Sequence, residues 1–231
     1  MARRAPEQQA PPVQRILFRY AKRGRLRFAS HRDLARAFER ALRRAGVAMA
    51  YSSGYSPHPR VSYANAAPTG AASEAEYVEI GLAEVGDPEQ VRQAVNQALP
   101  EGFHLEAAAV GVDKGWNDRL THSLWRIGCP AADAGQLQAV LAEFLGRDRV
   151  CVAREVKAGL REFDVRGQVE SLRVVDGGLE AVTKLGAPLV RPDDVVAALR
   201  AVQPDFLEGE QPLFTRLALG RWTGTEVVNL L

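Results

Sequence analysis

The chain has 231 residues, 46% of them hydrophobic and 25% charged, and a formal net charge of +2 at pH 7. This is ordinary globular composition with enough apolar content for a real core, sized for one large domain or two of about 100 residues each. No run of eighteen apolar residues argues for a membrane span, and the two cysteines, Cys129 and Cys151, lack the His or Cys neighbours that a zinc module or a Cys-ligated iron–sulfur cluster needs.

Residues 1–13 are rich in Pro, Gln and Arg, have no apolar stretch of the kind a secretory signal needs, and read as a disordered lead. Residues 15–21 then read as a strand, with Ile16, Phe18 and Tyr20 on one face. Residues 26–29 continue as an extended segment after Gly24. Ser30 caps a helix, with Asp33 three residues on in the manner of a capping box, and Gly46 stops it. A short strand at 47–52, a Gly- and Pro-punctuated loop at 53–60, and strands at 61–64 and 76–83 follow. Asp87-Pro88-Glu89 opens a second helix to about residue 99, and a strand at 104–112 closes the unit.

A similar order of elements recurs. A strand at 124–129 precedes a helix capped by Asp133 and running to residue 145. Strands at 149–157 and 160–166 are joined by an Ala158-Gly159 turn, and a hairpin at 171–184 turns at Asp176-Gly177-Gly178. Pro192-Asp193-Asp194 starts a helix to residue 202, and 214–222 is the last long strand. Each half reads approximately as β-α-β-β-α-β, so the expected fold class is α+β, two ferredoxin-like (split βαβ) domains in tandem. The expected domains are 14–113 and 122–231, and a single larger α+β sheet is the alternative. The halves share element order but no residue-level repeat. With few cysteines and no span, the expected location is the cytoplasm.

The net charge hides a polarised chain. Residues 1–60 carry fourteen Lys and Arg against three Asp and Glu, whereas residues 61–231 carry sixteen against twenty-five. A clustered positive field attracts phosphates and acidic surfaces. On the first helix, Leu34, Phe38, Ala41, Leu42 and Ala45 fall within an arc of about 100°. Arg32, Arg36, Arg40 and Arg43 fall opposite, with Arg44 at the edge. A merely solvated face usually mixes signs; here only Asp33 and Glu39 interrupt five arginines. This favours a phosphate or acidic-partner role.

The following loop combines stacking surfaces with donors through Tyr51, Tyr55, His58 and Arg60, as single-stranded nucleic-acid sites do. Pro57 and Pro59 stiffen the backbone around His58. The plain alternative is that both tyrosines pack on the sheet. His31, in the first turn of the basic helix, could act with His58 as acid and base in metal-independent RNA cleavage, with arginines stabilising the phosphorane. A histidine at a helix start is more often simply a hydrogen-bonding residue of the capping region. His104 and His122 read as structural or surface residues. No metal or cofactor is expected.

The string Y-A-K-R-G-R-L-R-F-A-S-H-R-D-L at 20–34, the loop Y-S-S-G-Y-S-P-H-P-R at 51–60, and Lys157, Gly159, Arg161, Glu162, Asp164 and Arg166 in the second half resemble the uncharacterised bacterial radical-SAM-associated proteins. The resemblance covers residues 15–223 and departs at Ser56, where Asn is common. It implies a radical SAM protein as partner, since members occur beside or fused to one. With no C-x-x-x-C-x-x-C triad, this chain would not hold that enzyme's cluster itself. Lys157, Arg161 and Arg166 could extend a groove begun by the basic helix, or Arg166 could simply pair with Asp164. The tandem architecture is also similar to that of CRISPR-RNA-processing endoribonucleases, but the late glycine-rich loop of those enzymes has no counterpart here.

The expected function is therefore a non-catalytic RNA-binding or substrate-presenting accessory protein for a radical SAM enzyme. The alternatives are an endoribonuclease using His31 and His58, and an adaptor whose arginines meet an acidic protein surface.

Overall fold

A computed structural model describes residues 8–111, 115–156 and 159–231. The protein is α+β, with four α-helices and eleven strands among the described residues. It forms two compact units that part between Asn117 and Asp118.

The first unit contains β1 (Gln14–Lys22), α1 (His31–Arg44), β2 (Val61–Ala64), β3 (Ala72–Leu82), α2 (Pro88–Asn96) and β4 (Phe103–Val110). Its sheet runs β4-β1-β3-β2, with every neighbouring pair antiparallel. Period-2 alternation sends Ile16, Phe18 and Tyr20 of β1 and Val78, Ile80 and Leu82 of β3 to one face. There they meet Leu34, Phe38 and Leu42 of α1 and Val95 of α2 in a common core. The helix starts where the sequence places it: Ser30 Oγ accepts the Asp33 N–H at 3.2 Å and donates to the Asp33 carboxylate at 2.7 Å. Asp87 caps α2 through the Gln90 N–H.

The second unit contains β5 (His122–Gly128), α3 (Ala134–Leu145), β6 (Cys151–Val156), β7 (Gly159–Asp164), β8 (Val169–Val175), β9 (Gly178–Lys184), α4 (Pro192–Val202), β10 (Leu213–Trp222) and β11 (Val227–Asn229). The order β10-β5-β9-β8 is the same permutation as in the first unit. The β6-β7 hairpin forms its own two-stranded ladder, and β11 adds to β10. Ile127, Leu137, Phe144, Leu179 and Leu199 are among the residues that fill its core.

Several expectations are corrected. Residues 26–29 are not extended: Gly24 adopts φ +55° and a 3-10 turn spans Gly24–Phe28. The strand expected at 47–52 is reduced to two isolated bridges, Met49 to Leu82 and Tyr51 to Pro59. β7 ends at Asp164, and Arg166 opens a single 3-10 turn. Residues 1–7 and 112–114 of the expected lead and interdomain stretch lie outside the described residues. Within the rest of that lead, Gln9 N–H donates to Ser53 Oγ at 2.9 Å and Val13 N–H to Leu82 O at 2.9 Å, so the chain is tied down before β1. Cys129 and Cys151 are both free thiols. Among the described residues no helix is long and apolar enough to cross a membrane.

Candidate nucleic-acid interface

The buried side of α1 is Leu34, Phe38, Ala41 and Leu42. Phe38 is fully enclosed and meets Phe18, Tyr63 and Phe103 at ring-centroid distances of 6.4, 6.4 and 6.0 Å. With that side fixed in the core, the 3.6-residue period presents Arg32, Arg36, Arg40 and Arg43 to solvent, and all four are exposed. Among the described residues, none of these four guanidinium groups has an ion-pair or hydrogen-bond partner.

Elsewhere in the same unit, arginines find carboxylates: Arg15 with Glu79, Arg23 with Glu74 and Glu106, and Arg92 with Glu89. The arginine face of α1 is thus a set of cations whose counter-charge is not supplied by the described residues. Arg44 differs from them. Its guanidinium donates to the Ala98 carbonyl, two residues past the end of α2, tying α1 to the segment that follows that helix. Between α1 and α2 lies an open groove of about 810 Å³, with Ala37, Arg40, Arg44, Ala94, Ala98 and Leu99 on its walls. Small side chains leave this space, and Arg40 borders it.

The loop at 51–60 is closed by one residue. Ser52 N–H donates to the His58 carbonyl at 2.9 Å, His58 N–H donates to Ser52 Oγ at 3.1 Å, and Ser52 Oγ lies 3.1 Å from His58 Nδ1. Nδ1 also lies 3.4 Å from the Ser56 carbonyl, so two residues of the loop hold the ring in place. His58 itself is exposed. Tyr55, 64% exposed, and the partly exposed Tyr51 present aromatic surface on the same loop. Arg60 braces this loop. Its Nε donates to the Tyr51 carbonyl at 3.0 Å, and its main chain bridges Ala50 and Gly81.

His31 packs edge-on against the Tyr63 ring, with centroids 4.8 Å apart and planes at 88°. Burial, and secondarily the Glu39 carboxylate, push the Tyr63 phenol well above its ordinary pKa, so it stays neutral. His31 and His58 therefore have different partners. Among the described residues their rings are not in contact, and no carboxylate orients either one. His104 sits 3.4 Å from Glu106. His122 meets Thr121 Oγ1 at 2.9 Å, and burial lowers its pKa.

In the second unit the candidates separate. Lys157 lies outside the described residues. Arg161 is exposed on β7, directly across from Arg154, which is itself tied to Asp194 at 2.5 Å. Arg166 is half-buried with its guanidinium 5.8 Å from the Phe144 ring centroid. The pairing of Asp164 with Arg166 through their side chains is corrected. The Asp164 carboxylate instead accepts backbone N–H groups of Val150, Arg166 and Gly167, because the chain turns immediately after it.

Two exposed residues near α1 are absent from the sequence candidates. Arg25 and Phe28 sit on the 3-10 turn before the helix; Phe28 is 67% exposed, with the Arg27 guanidinium 5.9 Å from its ring centroid. Both lie within the motif at 20–34, where Gly24 and the arginines that follow it are too few in number to make a strand.

No protein of curated function matches the chain. The profile of a family described as "Uncharacterized protein conserved in bacteria (DUF2344)" matches residues 15–200, a span that takes in α1, the 51–60 loop and the β6-β7 hairpin. The chain belongs to this family.

Proposed function

We propose that the protein is a non-catalytic RNA-binding accessory protein that presents its substrate to a radical SAM enzyme in the cytoplasm. The observation that carries the RNA reading is the row of exposed arginines on α1, Arg32, Arg36, Arg40 and Arg43, without counter-charges among the described residues. Phosphate contacts position a nucleic acid, and aromatic surfaces such as Tyr51, Tyr55 and Phe28 can stack on unpaired bases. The partner rests on the motif resemblance at 20–34 and 51–60. Both units are read as ferredoxin-like, supported by their shared strand permutation.

The test is RNA binding by the triple variant Arg32→Ala, Arg36→Ala, Arg40→Ala, followed by fluorescence anisotropy. These positions point to solvent, so the fold is retained, and the expected result is weaker binding to every RNA sequence. Unchanged affinity would remove the nucleic-acid reading, and loss of radical SAM partner capture by the same variant would favour the adaptor. Metal-independent cleavage that disappears in both His31→Ala and His58→Ala would replace the binder with a nuclease.

A further inference from the structure

We infer that the first unit holds a pocket for the amino edge of a single nucleobase, on the sheet face opposite α1. Val78 and Ile80 face the α1 core, so alternation turns Glu79 the other way. There a cavity of about 200 Å³ is bordered by Arg15, Ser62, Glu79, Trp116 and Asn117. The Glu79 side chain is only 6% exposed, and its Oε1 accepts from Arg15 Nη1 at 2.7 Å. Its Oε2 is buried and has no hydrogen-bond partner among the described residues.

A buried carboxylate oxygen without a donor is costly, so the group that enters this cavity must bring an N–H or O–H. Arg15 already neutralises Glu79, so the site has no net charge to attract a free ion. Phosphate would meet the carboxylate oxygen and be repelled. The Trp116 indole, held 6.2 Å from Tyr77, supplies a flat apolar wall. Gly111 keeps the oxygen open: a Cβ there would lie 3.1 Å from Glu79 Oε2 and 2.8 Å from Arg15 Cβ. A neutral, flat, donor-bearing group fits these constraints, and the exocyclic amine of adenine, cytosine or guanine is such a group. Uracil has no exocyclic amine, and its ring N–H lies between two carbonyls that the carboxylate repels.

This site goes beyond the arginine face of the proposed function, because it reads a base rather than gripping phosphate. Calorimetric titration of the full chain with free nucleosides tests it, since nucleosides carry no phosphate for the arginines to hold. Adenosine, cytidine or guanosine is expected to bind at least about tenfold more tightly than uridine, the discrimination typical of one good base-edge contact. Glu79→Gln should weaken that binding by about tenfold. Should Glu79→Gln fail to fold by circular dichroism, the exposed Ser62→Phe, which fills the cavity from the neighbouring strand directly opposite Glu79, carries the test by abolishing binding. No nucleoside binding at millimolar concentration, equal binding of uridine, or full binding by Ser62→Phe would overturn the proposal and leave a water-filled cavity. None of these outcomes depends on the α1 arginines, whose failure is read separately from RNA affinity.

Discussion

His58 is held by Ser52 at both its backbone and its ring, and its Nδ1 also faces the Ser56 carbonyl. Ser52 accepts the His58 N–H and lies against Nδ1, while Pro57 and Pro59 restrict the backbone on either side. This presents an imidazole edge at fixed direction. An arrangement of this kind serves recognition without needing a proton-accepting partner. His58→Ala is therefore expected to weaken RNA binding by about 1–3 kcal/mol, the increment of one stacked or hydrogen-bonded base. Ser52→Ala should weaken it less, because the ring remains but loses its orientation. Anisotropy titrations of both variants check the order, and a Ser52→Ala loss equal to or larger than that of His58→Ala would contradict it. The His58 position on a Pro-bounded loop is legible in the sequence. Its serine partner, six residues earlier, is not, because nothing in a linear pattern says which hydroxyl the turn brings back.

At the scale of the element, α1 is where sequence and structure agree most closely. Its start is marked by Ser30 and Asp33, its buried arc by the spacing of Leu34, Phe38, Ala41 and Leu42, and its charged face by the arginines left over. The turn immediately before it is not legible, because Leu26 and Phe28 alternate over too short a window to distinguish a strand from a 3-10 turn. Arg166 departs from expectation for a related reason: the alternation of β7 stops at Asp164, where the carboxylate gathers three backbone N–H groups and turns the chain. The two anchors of α1 have different energetic weight. Ser30→Ala removes one cap hydrogen bond and should cost about 1 kcal/mol. Phe38→Ala opens a cavity among Phe18, Tyr63 and Phe103 and should cost about 3–5 kcal/mol. Urea denaturation of the two variants checks both values, and near-equal losses would mean that α1 is not seated by its aromatic face.

For the whole molecule, the sequence conveys element order but not strand order. The order of strands and helices along each unit is legible from periodicity, whereas the shared permutation depends on pairings far apart in sequence, such as Leu17 with Glu79 and Trp125 with Ala181. The Glu79 cavity is hidden for the same reason, since Arg15 and Glu79 are 64 positions apart. Charge distribution, by contrast, is a property of the linear chain, and it yields the last prediction. A net charge of +2 would suggest weak salt dependence if the charge acted as a whole. Counterion release instead counts local phosphate contacts, about 0.7 in the slope of log K against log salt for each contact on a single strand. Four arginines on α1 should therefore give a slope of about −3, and the Arg32, Arg36, Arg40 triple alanine variant about −0.7, with Arg43 remaining. Anisotropy titrations across a salt series measure both slopes. A shallow wild-type slope, or an unchanged slope in the variant, would show that the acidic remainder of the chain offsets the helix and that its arginines do not meet phosphates.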